Sequence, residues 1–299
     1  MAFTLQIRKK GFFGNKNIDL KLILKNCNLK YGSSNEFYIL QEDVINQNTA
    51  VLYNPTRIGR GIFFDGSKAA EGEISLSYNI PTTATEISDF VRIVKEVERQ
   101  LKKVALYCVE EEREYTTQTL EDNIPNMTQF SLQSLHEFCK KEYSTYILTL
   151  AMWPFVMNKE QVLEFSECKD LQKFEQLLHD MQAIDAYYAK PTLMQNKADG
   201  KILAIYTLTE ECVSIFPVKA DDFLNLDSIK IDEGLVRFYI FSENQARDGM
   251  FSYDRFISYM SEHGARKFDD THLLIPSITK DEIDHMISEI CCLASFFIS

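Results

Sequence analysis

The sequence predicts an α+β fold, antiparallel-rich sheets with amphipathic helices packed on them, and three observations predict it. Over 73–80, Ile74, Leu76, Tyr78 and Ile80 alternate strictly with Glu73, Ser75, Ser77 and Asn79, so one face of that strand is wet and its sheet is covered on one side. Segments of helical period stand behind capping-box signatures at Thr83-x-x-Glu86, Asn158-x-x-Gln161 and Thr279-x-x-Glu282. Hydrophobic residues are 45% of the 299 and charged residues 25%, with 21 Phe and 14 Tyr to fill a core, which excludes disorder, collagen and coiled coil.

Along the chain, Phe3, Leu5 and Ile7 alternate with polar neighbours and predict an opening strand. Leu20, Ile23, Leu24 and Cys27 predict a short helix behind Asp19, ended by Gly32, Ser33 and Ser34. The stretch 37–64 predicts a meander of hairpins, punctuated by Asn54-Pro55, Gly59, Gly61 and, just beyond, Gly66. Pro81 stops the strand over 73–80, and Ile87, Phe90, Val91, Val94 and Leu101 share one face of the helix that follows. A strand covered on both sides is expected over 104–109. A helix bearing Leu132, Leu135, Phe138 and Cys139 leads into a buried strand over 146–151 that Pro154 ends.

Short helices are predicted behind Asn158 and around Leu171, Phe174, Leu178 and Met181, followed by a loop over 189–200. The strands 201–208 and 212–218 are expected to pair as a hairpin through Glu210-Glu211. A strand over 234–241, a helix carrying Tyr253, Phe256, Ile257 and Met260, a strand over 272–275 and a final helix carrying Ile283, Met286, Ile287 and Ile290 complete the chain.

A length of 299 corresponds to about two domains of roughly 150 residues. The acidic segment Glu110, Glu111, Glu112, Glu114, Glu121 and Asp122 marks the expected boundary, giving α+β modules over 1–125 and 126–299. Ile80-Pro81 before Glu86-Ile87 resembles Ile275-Pro276 before Glu282-Ile283, as in a duplicated module. Convergence is the preferred explanation: proline lacks the amide a strand needs, and threonine caps the next helix.

The amino-terminal residues hold no uninterrupted apolar stretch of a secretory signal, and the longest apolar run, 146–157, is too short to cross a bilayer. Seven cysteines without a C-x-x-C pair predict reduced, mostly buried thiols in a cytoplasm; the neighbours Cys291 and Cys292 read as one core thiol and one flanking thiol. The net charge of −12 disfavours nucleic acid across the bulk surface. It is uneven. The first 30 residues hold seven Lys/Arg (Arg8, Lys9, Lys10, Lys16, Lys21, Lys25, Lys30) against Asp19 alone, a net of +6 beside Phe12 and Phe13 that leaves −18 for the rest. An intramolecular answer from the acidic segment, or plain solvation, is preferred to a polyanion partner.

Neither G-x-x-x-x-G-K-[ST] nor G-x-G-x-x-G occurs, and no cofactor motif is present. The nearest approach is Arg57, Gly59, Arg60 and Gly61, where glycine-freed amides and two guanidinium forks could hold a phosphate or carboxylate; a hairpin turn with solvated arginines is the blander alternative. His263, Asp269, Asp270 and His272, with Asp281, Asp284 and His285 downstream, supply oxygen and imidazole ligands for a metal or acid/base site. Against this, Asp269-Asp270 suits a polar turn and Asp281 the first turn of a helix. Cys139, three residues after His136, reads as core packing rather than as a nucleophile.

The stretches FTLQIRKKGFFGNKNIDLKLIL and ISLSYNIPTTATEISDFVRIVKEV resemble a family of uncharacterised bacterial proteins of roughly this length, known as a domain of unknown function. The resemblance implies a cytoplasmic bacterial protein and supplies no functional residue. Two functions remain open. The first is a non-catalytic protein-interaction or binding protein with a protein partner and no membrane, which predicts no deep polar pocket and an exposed aromatic patch instead. The alternative is a hydrolase with a tertiary-assembled metal or acid/base site, which requires His263, Asp269, Asp270 or His272 to converge in a cleft.

Overall fold

The computed structural model describes residues 1–11, 18–195, 200–221 and 229–294, the side chains of 291–294 excepted. Phe12, Phe13 and Lys16, Asp199 and the side chains of Cys291 and Cys292 therefore lie outside the described residues. The fold is α+β and divides into two compact units, Met1–Ile184 and Asp185–Ser299. The partition expected near residue 125 falls inside the first unit.

The first unit is built on an antiparallel sheet of β1 (Ala2–Lys9), β2 (Lys30–Ser34), β3 (Leu40–Glu42), β4 (Thr49–Tyr53), β5 (Ile62–Asp65), β6 (Glu73–Asn79), β7 (Val104–Cys108) and β8 (Arg113–Tyr115). Its order is β3-β2-β4-β5-β6-β1-β7-β8, so the opening strand lies between β6 and β7. Alternation sends Phe3, Leu5, Ile7, Leu52, Ile74 and Leu76 to one face, where α1 (Leu20–Cys27) and α2 (Ala84–Leu101) cover them. Phe90 of α2 meets the edges of Phe3 and Tyr78 at 5.7 and 5.1 Å. The opposite face carries Thr4, Gln6, Ser75 and Ser77. The wet side expected for β6 extends to β1, while Val51 of β4 on that face packs with Leu40, Tyr53 and Ala151.

Asn28, not Gly32, ends α1: it adopts the left-handed conformation (φ 50°) and its amide returns to Leu24 and Lys25. Gly32 lies within β2, where a Cβ would meet the Gln41 carbonyl oxygen at 2.5 Å. Only one face of β7 is covered, since Leu106 and Cys108 are buried and Tyr107 is exposed. The acidic segment is tied into this unit, Glu110 accepting from the Thr4 amide (2.7 Å), Glu111 pairing with Arg113 (2.5 Å) and Glu121 with Lys95 (2.6 Å). Arg8 and Lys30 of the basic segment pair instead with Glu73 and Glu42.

After α3 (Thr117–Asp122) comes a smaller layer of α4 (Ile124–Lys140), the hairpin β9 (Tyr146–Thr149) and β10 (Pro154–Met157), α5 (Lys159–Phe165) and α6 (Gln172–Asp180), closed over Leu135, Phe155 and Phe174. Pro154 does not end a strand here. It begins β10, the one strand position where a missing amide costs no ladder bond.

The second unit has two sheets. One follows β12 (Thr192–Gln195), β13 (Ile202–Thr209), β15 (Glu233–Ile240) and β16 (Gln245–Ala246), with β17 (Phe251–Ser252) also on β15. The other follows β11 (Tyr187–Tyr188), β14 (Ser214–Pro217), β19 (His272–Ile275) and β18 (Arg266–Lys267). Helices α7 (Tyr253–Glu262) and α8 (Lys280–Ala294) share the core of Tyr206, Phe216, Phe238, Tyr253, Phe256 and Ile283.

The expected hairpin between 201–208 and 212–218 does not form. Both edges of β13 are taken, by β12 and in parallel by β15, while β14 lies between β11 and β19. The turn between them has no glycine; Glu211 itself takes a φ of 54° and donates its amide to Ile278. The predicted loop over 189–200 contains β12.

Candidate functional site

The segment 57–61 joins β4 to β5, and its glycine-freed amides do hold a carboxylate, one the protein supplies. Arg60 N–H donates to Glu86 Oε2 at 3.1 Å and Gly61 N–H to Oε1, while the Thr82 hydroxyl donates to Oε2. A Cβ on Gly59 would meet the Glu86 carboxyl carbon at 2.9 Å, which explains the glycine. Thr83 caps α2 by accepting from the Glu86 amide (3.1 Å), but the Glu86 side chain turns inward instead of completing the box. It is buried, and that burial pushes its carboxyl pKa upward against the three donors that favour the charged form.

The same segment anchors the smaller layer of its unit. Gln182 donates to the Gly59 carbonyl (2.9 Å), Ala151 N–H to that carbonyl (3.2 Å) and Ile58 N–H to His179 Nδ1 (3.1 Å). Ser131 and Thr82 exchange two bonds of 2.7 Å, and Thr85 donates to Glu175 at 2.7 and 3.1 Å. Of the four residues proposed from sequence, Arg57 is exposed, with only Gln176 at 3.5 Å. Arg60 is half-buried, and its guanidinium donates to the Thr149 carbonyl (3.0 Å), the Pro81 carbonyl (2.9 Å) and Thr149 Oγ1 (3.2 Å). No carboxylate lies within ion-pair distance of it among the described residues.

In the second unit the histidine and aspartate cluster separates. Asp269 and His272 come together at the start of β19, with His272 Nδ1 2.9 Å from Asp269 Oδ1 and His272 Nε2 2.8 Å from the Tyr188 hydroxyl. Asp269 also accepts from the amides of Thr271 (2.9 Å) and His272 (2.8 Å), an Asx turn. All three side chains are buried, and burial pushes the Tyr188 hydroxyl pKa well up. Such a chain has the connectivity of a proton relay, and none of its three side chains is exposed. Asp270 is exposed and paired with Lys267 (2.8 Å), and His263 stacks on Tyr259 with ring centroids 3.9 Å apart. Among the described residues no three His, Cys, Asp or Glu side chains lie so as to hold a metal ion.

His136 and Cys139 do not meet in attack geometry either. His136 Nε2 lies 2.8 Å from the carbonyl of Cys168, so that nitrogen carries the proton and cannot take one from the Cys168 thiol 3.7 Å away. Burial pushes the Cys139 thiol up to about 12 and raises that of Cys168.

Two of the open cavities bear on function. One, of about 300 Å³, lies on the polar face of the first unit's sheet beside Arg60. The other, of about 870 Å³, lies in the second unit between the turn after β13, the end of β15 and the start of α8. Tyr187 and Phe241 stand at its rim, Phe241 at 74% exposure, with Cys212 in its wall. Glu211 and Asp281 line it without an ion pair, whereas Lys280 is held by Glu243 (3.3 Å) and Asp284 (3.4 Å). Arg247 reinforces those two acids from behind, pairing with Asp284 at 2.7 Å and Glu243 at 2.5 Å. The buried Glu210 turns its carboxylate to the Ser242 amide.

Phe241 and Glu211 were missed in sequence because one reads as a strand residue and the other as a turn. Tyr188 carries no local signal of its hydrogen bond to a histidine 84 residues away.

Fold and cavities define a two-unit α+β protein with buried polar networks and open clefts on both units. No helix among the described residues is long and apolar enough to cross a membrane. The chain belongs to the family described as Domain of unknown function (DUF4299), whose family model matches residues 2–286. No curated protein and no solved structure matches it.

Proposed function

We propose that the chain is a non-catalytic binding protein that holds a positively charged, extended segment of a partner protein in the cleft of its second unit. The observation that carries this reading is Phe241, 74% exposed at the rim of a cavity of about 870 Å³ whose unpaired charges, Glu211 and Asp281, are both negative. Lysine or arginine side chains fit that combination, since a cation gains from an aromatic face and from carboxylates that no internal cation answers. The acidic balance of the whole chain, −12, supports the same sign of partner and argues against a polyanion. A reducing, cytoplasmic setting belongs to the proposal, supported by the free thiols of Cys27, Cys108, Cys139, Cys168 and Cys212.

The test is a fluorescence-anisotropy titration with labelled hexalysine, with hexaglutamate as control. Phe241→Ala, and separately Glu211→Gln with Asp281→Asn, should each weaken hexalysine binding by about tenfold, the equivalent of ~1.4 kcal/mol. Equal binding of hexaglutamate, or unchanged hexalysine affinity in both variants, overturns the reading.

A further inference from the structure

The cavity on the first unit combines features that the fold does not need. Alternation puts Thr49, Val51 and Phe63 on the face of the sheet opposite α1 and α2, and the end of β9 rises over that face to form one wall. Arg60 stands in that wall. Its three bonds to Thr149 and Pro81 all end on neutral oxygens, so they fix the guanidinium fork without answering its charge. A guanidinium has five N–H donors, and two remain.

The buried Glu86 already accepts from two amides and a hydroxyl; its charge favours the cationic Arg60 through space but makes no direct ion pair with the guanidinium. Burial pulls the Arg60 pKa down to about 10, which leaves it cationic at neutral pH. Around it, Ser34, Tyr38, Asn46 and Asn79 line the cavity, and their side-chain hydroxyls and amides have no hydrogen-bond partner among the described residues. A partly desolvated cation with free donors, ringed by uncommitted neutral polar groups, is the arrangement that recognises a small anion bearing further polar groups.

We propose that this cleft binds a small molecule through a carboxylate or phosphate group seated on the Arg60 guanidinium, with the Ser34 hydroxyl and the Asn46 and Asn79 amides holding the rest of it. The volume, about 300 Å³, is at the lower end for small-molecule sites. This site lies in the other unit from the peptide cleft and stands or falls independently of it.

The experiment uses the full chain labelled with 15N-arginine. The Nε–Hε resonance of Arg60 is followed while inorganic phosphate and, in a second titration, acetate are added at constant ionic strength. A saturable shift with half-saturation on the order of 1 mM to 10 mM is expected for at least one anion. Preference for phosphate assigns a phosphorylated ligand, and preference for acetate a carboxylate.

Arg60→Lys should abolish saturation, but Arg60 also braces the β9 wall, so a second variant keeps it intact. Asn79 is exposed, and Asn79→Phe fills the cleft from an outward-facing strand position. It should reduce the affinity at least tenfold with an unchanged melting curve. No saturable shift with either anion, or a shift that survives Asn79→Phe, overturns the proposal.

Discussion

Glu86 of the first unit and Asp269 of the second are both buried, hydrogen-bonded carboxylates, and the two are held in different ways. Glu86 is held by parts of the chain distant in sequence: the amides of Arg60 and Gly61, and the Thr82 hydroxyl. Asp269 is held by its own turn, with Thr271 and His272 within three residues, and Tyr188 reaches this cluster from afar, through the imidazole. Removing Glu86 therefore orphans buried donors on another element, whereas the Asp269 turn keeps most of its bonds when a neighbour is lost. Long-range satisfaction ties elements together; local satisfaction shapes one loop.

The largest effect that separates the two follows from Glu86→Ala, which leaves the Arg60 and Gly61 amides without an acceptor and should cost about 3 kcal/mol in urea unfolding. His272→Ala removes a buried ring but leaves Asp269 its two amide bonds; the expected cost is about 2 kcal/mol, and a cost above that of Glu86→Ala would reverse the comparison.

Titration sharpens it further. Burial raises the pKa of Glu86 above its ordinary 4.5 in the folded state. Its favourable contribution is therefore complete below the unfolded value and fades as pH rises through the folded one. The stability lead of the native chain over Glu86→Gln should shrink as pH rises above the ordinary carboxylate range, and a lead that widens contradicts this environment. The smallest effect belongs to Asp270→Ala, an exposed partner of Lys267, expected within about 0.5 kcal/mol.

The same contrast explains what could be read from the chain. Alternation in β1 and β6 and the caps at Asp19, Asn158 and Thr279 are local signals, and each appears where the pattern put it. Asp269 and His272 stood in the sequence only as members of a metal cluster with His263 and Asp270, of which this local pair alone comes together. Glu86 was read as a capping-box residue because Thr83 is its neighbour in sequence; nothing local shows that a glycine segment 25 residues earlier offers it better donors.

The hairpin expected across Glu210-Glu211 failed on similar grounds, because β15 and β19, both later in the chain, claim the edges of β13 and β14. The cleft residues Phe241 and Glu211 become a site only when β15, the turn after β13 and α8 are placed together.

The central claim is that the buried acids serve the fold while the second unit's cleft meets the partner. A 15N amide chemical-shift map with hexalysine tests it most directly. Saturating shifts at Thr207, Thr209, Glu211 and Ser242, with none at Asp269 or His272, are the predicted result. Shifts confined to Asp269 and His272, or absent from the cleft at saturating peptide, would contradict it.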